Sequence, residues 1–144
     1  MFIITYDDIL NIHNKMIEKY GGDYGIRDEG TLQMLCEQPY QNCFGQELFP
    51  TLYDKAAKFL EGFARHQVFY DGNKRTAFLS MATFLACNDI ELTLNNDEAY
   101  NYTMEIANNK DITLESISDF IKNNSIIKEI ENENKRSEDE YLIE

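Results

Sequence analysis

Between Asn73 and Cys87 apolar side chains recur on nearly every side of a helical wheel, with Ala77, Phe78, Leu79, Met81, Ala82, Phe84 and Leu85 in close succession. A helix that is apolar around most of its circumference needs neighbours on most sides. The segment is therefore predicted to be the buried centre of a helical bundle, and the rest of the chain must supply what surrounds it. Candidates are plain. Thr5 caps a helix with Asp7 and Asp8 in its first turn, and Ile9, Leu10, Ile12, Met16 and Ile17 form its apolar stripe as far as Tyr20-Gly21-Gly22. A short helix from Thr31 to about Glu37 follows a loop at Gly25–Gly30 and ends before Pro39. Phe44 to Pro50 reads as a connection, and Leu52 to about His66 as a helix with Leu52, Ala56, Phe59, Leu60 and Phe63 on one face. After the central helix come an extended piece at Glu91–Leu94, a helix from Asp97 to Ala107 capped by Asn96, and another from Leu114 to Asn123 capped by Asp111 or Thr113. The expectation is a compact all-α bundle of about six helices, forming one domain over residues 1–124. Residues 125–144 are an acidic extension with few large apolar side chains, expected to fray over its last dozen positions.

The loop that opens the central helix carries the chemistry. In Phe69-Tyr70-Asp71-Gly72-Asn73-Lys74-Arg75, Gly72 permits an unusual backbone angle, and the free N–H groups of the helix start face the loop. An anion binds well at such a point. Lys74 and Arg75 add two cations at the positive end of the helix dipole, where each is unfavourable by about 0.3–1 kcal/mol unless a negative ligand is present. Asp71 is placed to hold Mg²⁺ or to cap the helix. Asp-Gly-Asn is equally the composition of an ordinary turn followed by a capped helix, and those three residues alone do not separate the two readings.

The whole string resembles the signature loop of the Fic/Doc (Fido) superfamily, and within it the Doc, or death-on-curing, toxin branch, with the pattern H-x-F-x-D-(G/A)-N-K-R-T-A. Phe69, Asp71, Gly72, Asn73, Lys74, Arg75, Thr76 and Ala77 stand in register with it. Upstream blocks at Tyr20-Gly21-Gly22, Gly25–Gly30 and Phe49–Ala57 extend the resemblance over roughly residues 3–94. The resemblance implies a Fido-type bundle that binds ATP with Mg²⁺. Asp71 would hold the metal, Gly72 and Asn73 would cradle phosphate beside Phe69, Lys74 would fill the second anion hole and Arg75 would contact phosphate. It further implies a toxin that transfers phosphate, or less readily AMP, to a hydroxyl of a cytoplasmic target such as a translation elongation factor, and that an antitoxin protein neutralises. Lys74, and Phe78 where the longer Fic pattern has a second arginine, favour the Doc branch.

The chain departs from the pattern at the general base. The family's histidine falls at position 67, which is Gln67, and a histidine stands instead at His66. Gln67 can orient a partner by hydrogen bonding but does not accept a proton near neutral pH. Neighbouring side chains point in different directions, so His66 reaches the family geometry only through a local backbone slip. Three outcomes are open: a slow transferase, a transferase using His66, or a nucleotide-binding pseudoenzyme that acts as a protein-binding module.

A net charge of −13 argues against a nucleic-acid partner held by phosphate attraction, and it sets the cationic pair at 74 and 75 apart from its surroundings. No apolar run is long enough to span a bilayer, and the first residues lack the basic region of a leader, so the expected location is cytoplasmic. Cys36, Cys43 and Cys87 have no metal-ligand spacing, and Cys87 is expected in the core. His13, within the first helix, reads as structural. No (S/T)-x-x-x-E-(G/N) inhibitory pattern occurs in residues 95–144.

Overall fold

A computed structural model describes residues 1–128, which form six α-helices and two small antiparallel ribbons. In chain order these are α1 (Tyr6–Tyr20), α2 (Glu29–Glu37), a 3₁₀ turn at Gln38–Tyr40, β1 (Asn42–Cys43), β2 (Gln46–Glu47), α3 (Leu52–Arg65), α4 (Asn73–Cys87), β3 (Ile90–Leu92), α5 (Asn96–Asn108), α6 (Leu114–Asn123) and β4 (Ser125–Ile127). The all-helical bundle expected from the sequence is the fold observed.

The helix starts follow local chemistry. Thr5 with Asp8, Thr51 with Asp54 and Asn95 with Glu98 form reciprocal capping boxes on α1, α3 and α5. Asp28 caps α2 by accepting from the Thr31 N–H, and Thr113 caps α6 by accepting from Ser116 N–H. Helix α2 thus begins two residues earlier than Thr31, because Asp28 is the cap rather than part of a preceding loop.

Helix α4 lies at the centre, packed most extensively on α3 and also against α1, α5 and β3. From Thr76 to Leu85 no residue is exposed. Phe59 and Phe63 of α3 and Met81, Phe84 and Leu85 of α4 are almost wholly buried, each contributing about 1.5–3 kcal/mol. Tyr40 joins Phe59 and Phe84 in an aromatic cluster with ring centroids 5.5–6.2 Å apart. Small polar residues are drawn into the same contact. Thr76 and Ser80 are buried, and neither hydroxyl has a hydrogen-bond partner among the described residues.

Three details differ from expectation. The connection at Phe44–Pro50 contains a hairpin turn, in which Phe44 (φ 52°) and Gly45 (φ 80°) reverse the chain between β1 and β2. The buried Lys55 ammonium docks that hairpin on α3 by reaching Glu47 and the Phe49 carbonyl. Cys87 is exposed and Cys36 is the buried thiol, because Cys87 sits on the last turn of α4, beyond the reach of its neighbours. Burial pushes the Cys36 thiol up to about 12, with Glu37 and Glu29 adding to the effect. The acidic extension begins as β4, whose Ser125, Ile126 and Ile127 pair with Leu92, Glu91 and Ile90. The fraying expected at its end lies outside the described residues. No described helix is long and apolar enough to cross a membrane.

Candidate functional site

The chain leaves α3 at His66, whose backbone is extended (φ −129°, ψ 142°), and runs on as a short strand-like segment toward α4. Val68 and Phe69 point inward and are buried. The Gly25–Asp28 stretch pairs with this segment: the Arg27 and Asp28 N–H groups both donate to the Val68 carbonyl, at 2.7 and 3.1 Å, and Tyr70 N–H donates to the Gly25 carbonyl. The Phe69 ring stacks on His13 of α1 with centroids 3.8 Å apart and planes 10° from parallel. His13, only 1% exposed, lies 2.8 Å through Nε2 from the Asp71 carbonyl oxygen, so Nε2 carries the proton and donates. The Asn73 side chain closes the turn from the other side, accepting from Phe69 N–H and donating to the Phe69 carbonyl, both at 2.9 Å. Asp71 Oδ2 accepts from the Asp23 N–H at 2.9 Å.

Gly72 is the residue on which the turn pivots. Its φ of +79° is left-handed, and a Cβ there would stand 2.0 Å from Met16 Cε. It also occupies the cap position of α4 without a side chain to offer. Among the described residues α4 is consequently the one α-helix with no side-chain cap, and the N–H groups of Asn73, Lys74 and Arg75 have no protein acceptor. Two cationic side chains, uncapped N–H groups and the positive dipole end converge on one place.

That place is one wall of an open cleft of about 480 Å³, within the size range of small-molecule sites. The cleft is lined by the end of α3 and the residues after it (Ala64 to Gln67), by Tyr70 to Arg75, and by Tyr100, Ala107 and Asn108 of α5. Of the residues singled out in the sequence, His66, Gln67, Asp71, Gly72, Asn73, Lys74 and Arg75 meet there. Phe69 does not. It lies beneath the loop against His13, so its contribution is to anchor the turn and not to touch a ligand. The Asn73 side chain is likewise engaged in bracing the loop, and its backbone N–H has no acceptor among the described residues.

Gln67 Oε1 accepts from Arg27 Nη1 at 2.5 Å. With one lone pair of its carbonyl oxygen engaged by a guanidinium, Gln67 keeps its NH₂ donor and the second lone pair for a ligand. His66 is exposed on the cleft wall, but its Nδ1 donates to the Gly62 carbonyl at 2.8 Å, tying the ring back to the last turn of α3.

Asp71 is the carboxylate available for a metal, with one oxygen steered by Asp23 N–H. No group of three His, Cys, Asp or Glu side chains that could hold a metal occurs among the described residues. A single carboxylate suits Mg²⁺ that is shared with phosphate oxygens, which is how that ion is commonly bound beside nucleotides. The uncapped α4 start suits the phosphates themselves.

His13, Arg27 and Asp23 organise this site without standing out in the sequence as its members. His13 offered one signal, a histidine on the apolar stripe with Ile9, Met16 and Ile17. Arg27 belongs to the Gly25–Gly30 block, whose spacing gives no hint that it reaches position 67.

Comparison with known proteins agrees with this architecture. Residues 3–85 match the Fic/DOC family. The chain is 37% identical over 101 residues to the Toxin Doc of Mycolicibacterium smegmatis, covering 69% of this chain and 77% of that protein. It is 27% identical over 119 residues to the Protein kinase doc of Escherichia phage P1, covering 83% of this chain and 92% of that protein.

Proposed function

The chain belongs to the Fic/DOC family, and from that premise we propose that it is a Doc-like toxin of a toxin–antitoxin pair that transfers the terminal phosphate of ATP to a hydroxyl of a cytoplasmic protein. The observation that carries this reading is the uncapped start of α4, with Lys74 and Arg75 beside it, opening on a nucleotide-sized cleft. The names of the two relatives, a toxin and a protein kinase, support the same direction.

In this reading the phosphates lie along the first turn of α4, where N–H groups, Lys74 and Arg75 meet the charge that spreads over the transferring group. Asp71 would hold Mg²⁺, which would supply neutralisation of phosphate charge. The target oxygen attacks the terminal phosphorus, the bond to the bridging oxygen breaks, and ADP leaves with that electron pair. The hydroxyl proton passes to solvent, since Gln67 does not take it. Lacking a general base costs about 10²–10⁴ in rate, whereas positioning and electrostatic stabilisation are retained. Phosphate transfer is preferred over AMP transfer because Lys74 replaces a glycine of the Fic pattern and Phe78, packed edge-on against Tyr100, replaces its second arginine. An antitoxin protein and a translation elongation factor are the partners that the resemblance implies.

A second reading rests on the Arg27–Gln67 bond. A pocket whose base position holds a clasped amide suits a nucleotide-binding protein whose function lies in its contacts. The two readings separate by label transfer from ATP, labelled in parallel at the α or γ phosphate, to lysate proteins with Mg²⁺. Transfer of γ label by the natural chain supports the kinase. Transfer only after Gln67→His supports the binding protein. Transfer of α label refutes the phosphate assignment, and a folded Gln67→His variant with neither label refutes nucleotide-dependent transfer.

A further inference from the structure

Three arginines stand near the cleft, and they are held in three different ways. Arg65 donates through Nε and Nη2 to the carbonyls of Ile106, Asn109 and Ile112 and pairs with Glu61, so its donors are spent on joining α3 to the α5–α6 connection. Arg27 gives Nη1 to Gln67. Arg75 has neither a carboxylate nor a carbonyl partner among the described residues. Its guanidinium carbon lies 4.3 Å from the centroid of Tyr20, at the end of α1, and 5.5 Å from that of Tyr100, on α5.

We propose that Tyr20 and Tyr100 are positioning residues that hold the Arg75 guanidinium between two aromatic faces and leave its N–H groups free for a phosphate. The inference deepens the nucleotide reading above and rests on it for the identity of the ligand. A π face attracts the cation but offers no lone pair in competition with phosphate oxygens. A carboxylate in the same place would fix the side chain equally well, at the cost of occupying two donors and cancelling the charge. A long side chain without any restraint would lose several rotamers on binding, so the two rings lower that entropy loss in advance. The two tyrosines come from separate helices. Arg75 is thereby set by the packing of α1 and α5 around α4, and not by its own backbone alone.

Tyr20 is the residue to vary, because it is 49% exposed and its removal opens no cavity, whereas Tyr100 also packs on Phe78. Two readouts are needed. In proton–nitrogen spectra the Arg75 Nε–H resonance, assigned by its loss in Arg75→Lys, should be shifted by ring currents in the natural chain and in Tyr20→Phe. It should move toward the position of a free arginine in Tyr20→Leu. By calorimetry, Tyr20→Leu should weaken ATP·Mg²⁺ binding by about three-fold or more while Tyr20→Phe leaves it near the natural value. In an Arg75→Ala background the Tyr20→Leu change should have no further effect. The inference is overturned if Tyr20→Leu leaves both the resonance and the affinity unchanged, or if it weakens binding equally without Arg75. Failure of the natural chain to bind ATP·Mg²⁺ would refute the proposed function instead, and the resonance would still decide whether the tyrosines hold Arg75.

Discussion

Replacing His13 by phenylalanine isolates the hydrogen bond that ties α1 to the loop. The phenyl ring can keep the stack on Phe69, at 3.8 Å and 10° in the natural protein, so the apolar contact is conserved. What disappears is the Nε2–H donor to the Asp71 carbonyl at 2.8 Å. A neutral hydrogen bond contributes about 1 kcal/mol net, and a carbonyl left without its partner in a part-buried position raises the loss to about 1–3 kcal/mol. Unfolding entropy of about 2.1 cal/mol/K per residue gives roughly 0.3 kcal/mol/K for a chain of this length, so Tm should fall by about 3–10 °C. His13→Ala removes the stack as well and leaves a cavity, and should cost about 3–5 kcal/mol, as truncation of a buried ring does. The bond also decides which way the Asp71 peptide faces, and with it the turn leading into Gly72, so ATP·Mg²⁺ affinity should fall in His13→Phe. Thermal unfolding followed by circular dichroism, with calorimetric titration of the same samples, tests both statements. A His13→Phe protein with unchanged Tm and unchanged affinity would refute the assignment of His13 as the anchor of the loop.

Gly72→Ala should destabilise by about 2–3 kcal/mol, from left-handed strain of about 1–2 kcal/mol and the displacement of Met16. Gly45→Ala is the control, since its φ of +80° in the hairpin turn is positive as well while a Cβ there meets nothing within 4 Å. Equal losses in urea unfolding would remove any weight from the Met16 contact. At Asp54 burial alone would raise the carboxyl, but hydrogen bonds from Ser118 and Thr51 outweigh it and hold the group below its ordinary 3.8. A lowered folded-state pKa means that its stabilisation is complete above 3.8 and is lost as pH falls through the lower folded value. Asp54→Asn should therefore be less stable than the natural chain near neutrality, with the difference shrinking in acid below 3.8, and a difference that grows in acid would contradict this sign.

The elements that were legible in the sequence are those set by neighbours in the chain. Thr5 caps α1 as expected, and Thr113, one of the two candidates, caps α6, because a capping hydrogen bond spans three residues and needs no partner from elsewhere. Asn95 caps α5 one position before the Asn96 expected, a shift that adjacent residues of the same type make easy. The two-residue hairpin at Phe44-Gly45 was not legible, since a phenylalanine in the left-handed region is the opposite of the usual turn signal. Cys87, expected in the core, is exposed while Cys36 is buried, for a related reason. Both lie on helices with apolar neighbours, but which turn is covered depends on where the adjoining helices end.

Within the site, the residue types and spacing of Asp71-Gly72-Asn73-Lys74-Arg75 determined by themselves that the chain turns sharply into a helix whose positive end carries two further cations. That conclusion follows from backbone sterics and the helix dipole, which act over a few residues. The tertiary structure alone decided what each side chain does there. It turned Phe69 and the Asn73 amide inward as braces, brought His13 beneath the Asp71 carbonyl, closed Arg27 on Gln67, and set Arg75 between Tyr20 and Tyr100. These contacts span up to 58 residues of chain. They exist because α1 and α5 pack against α4, and no local propensity encodes the angle at which three helices meet.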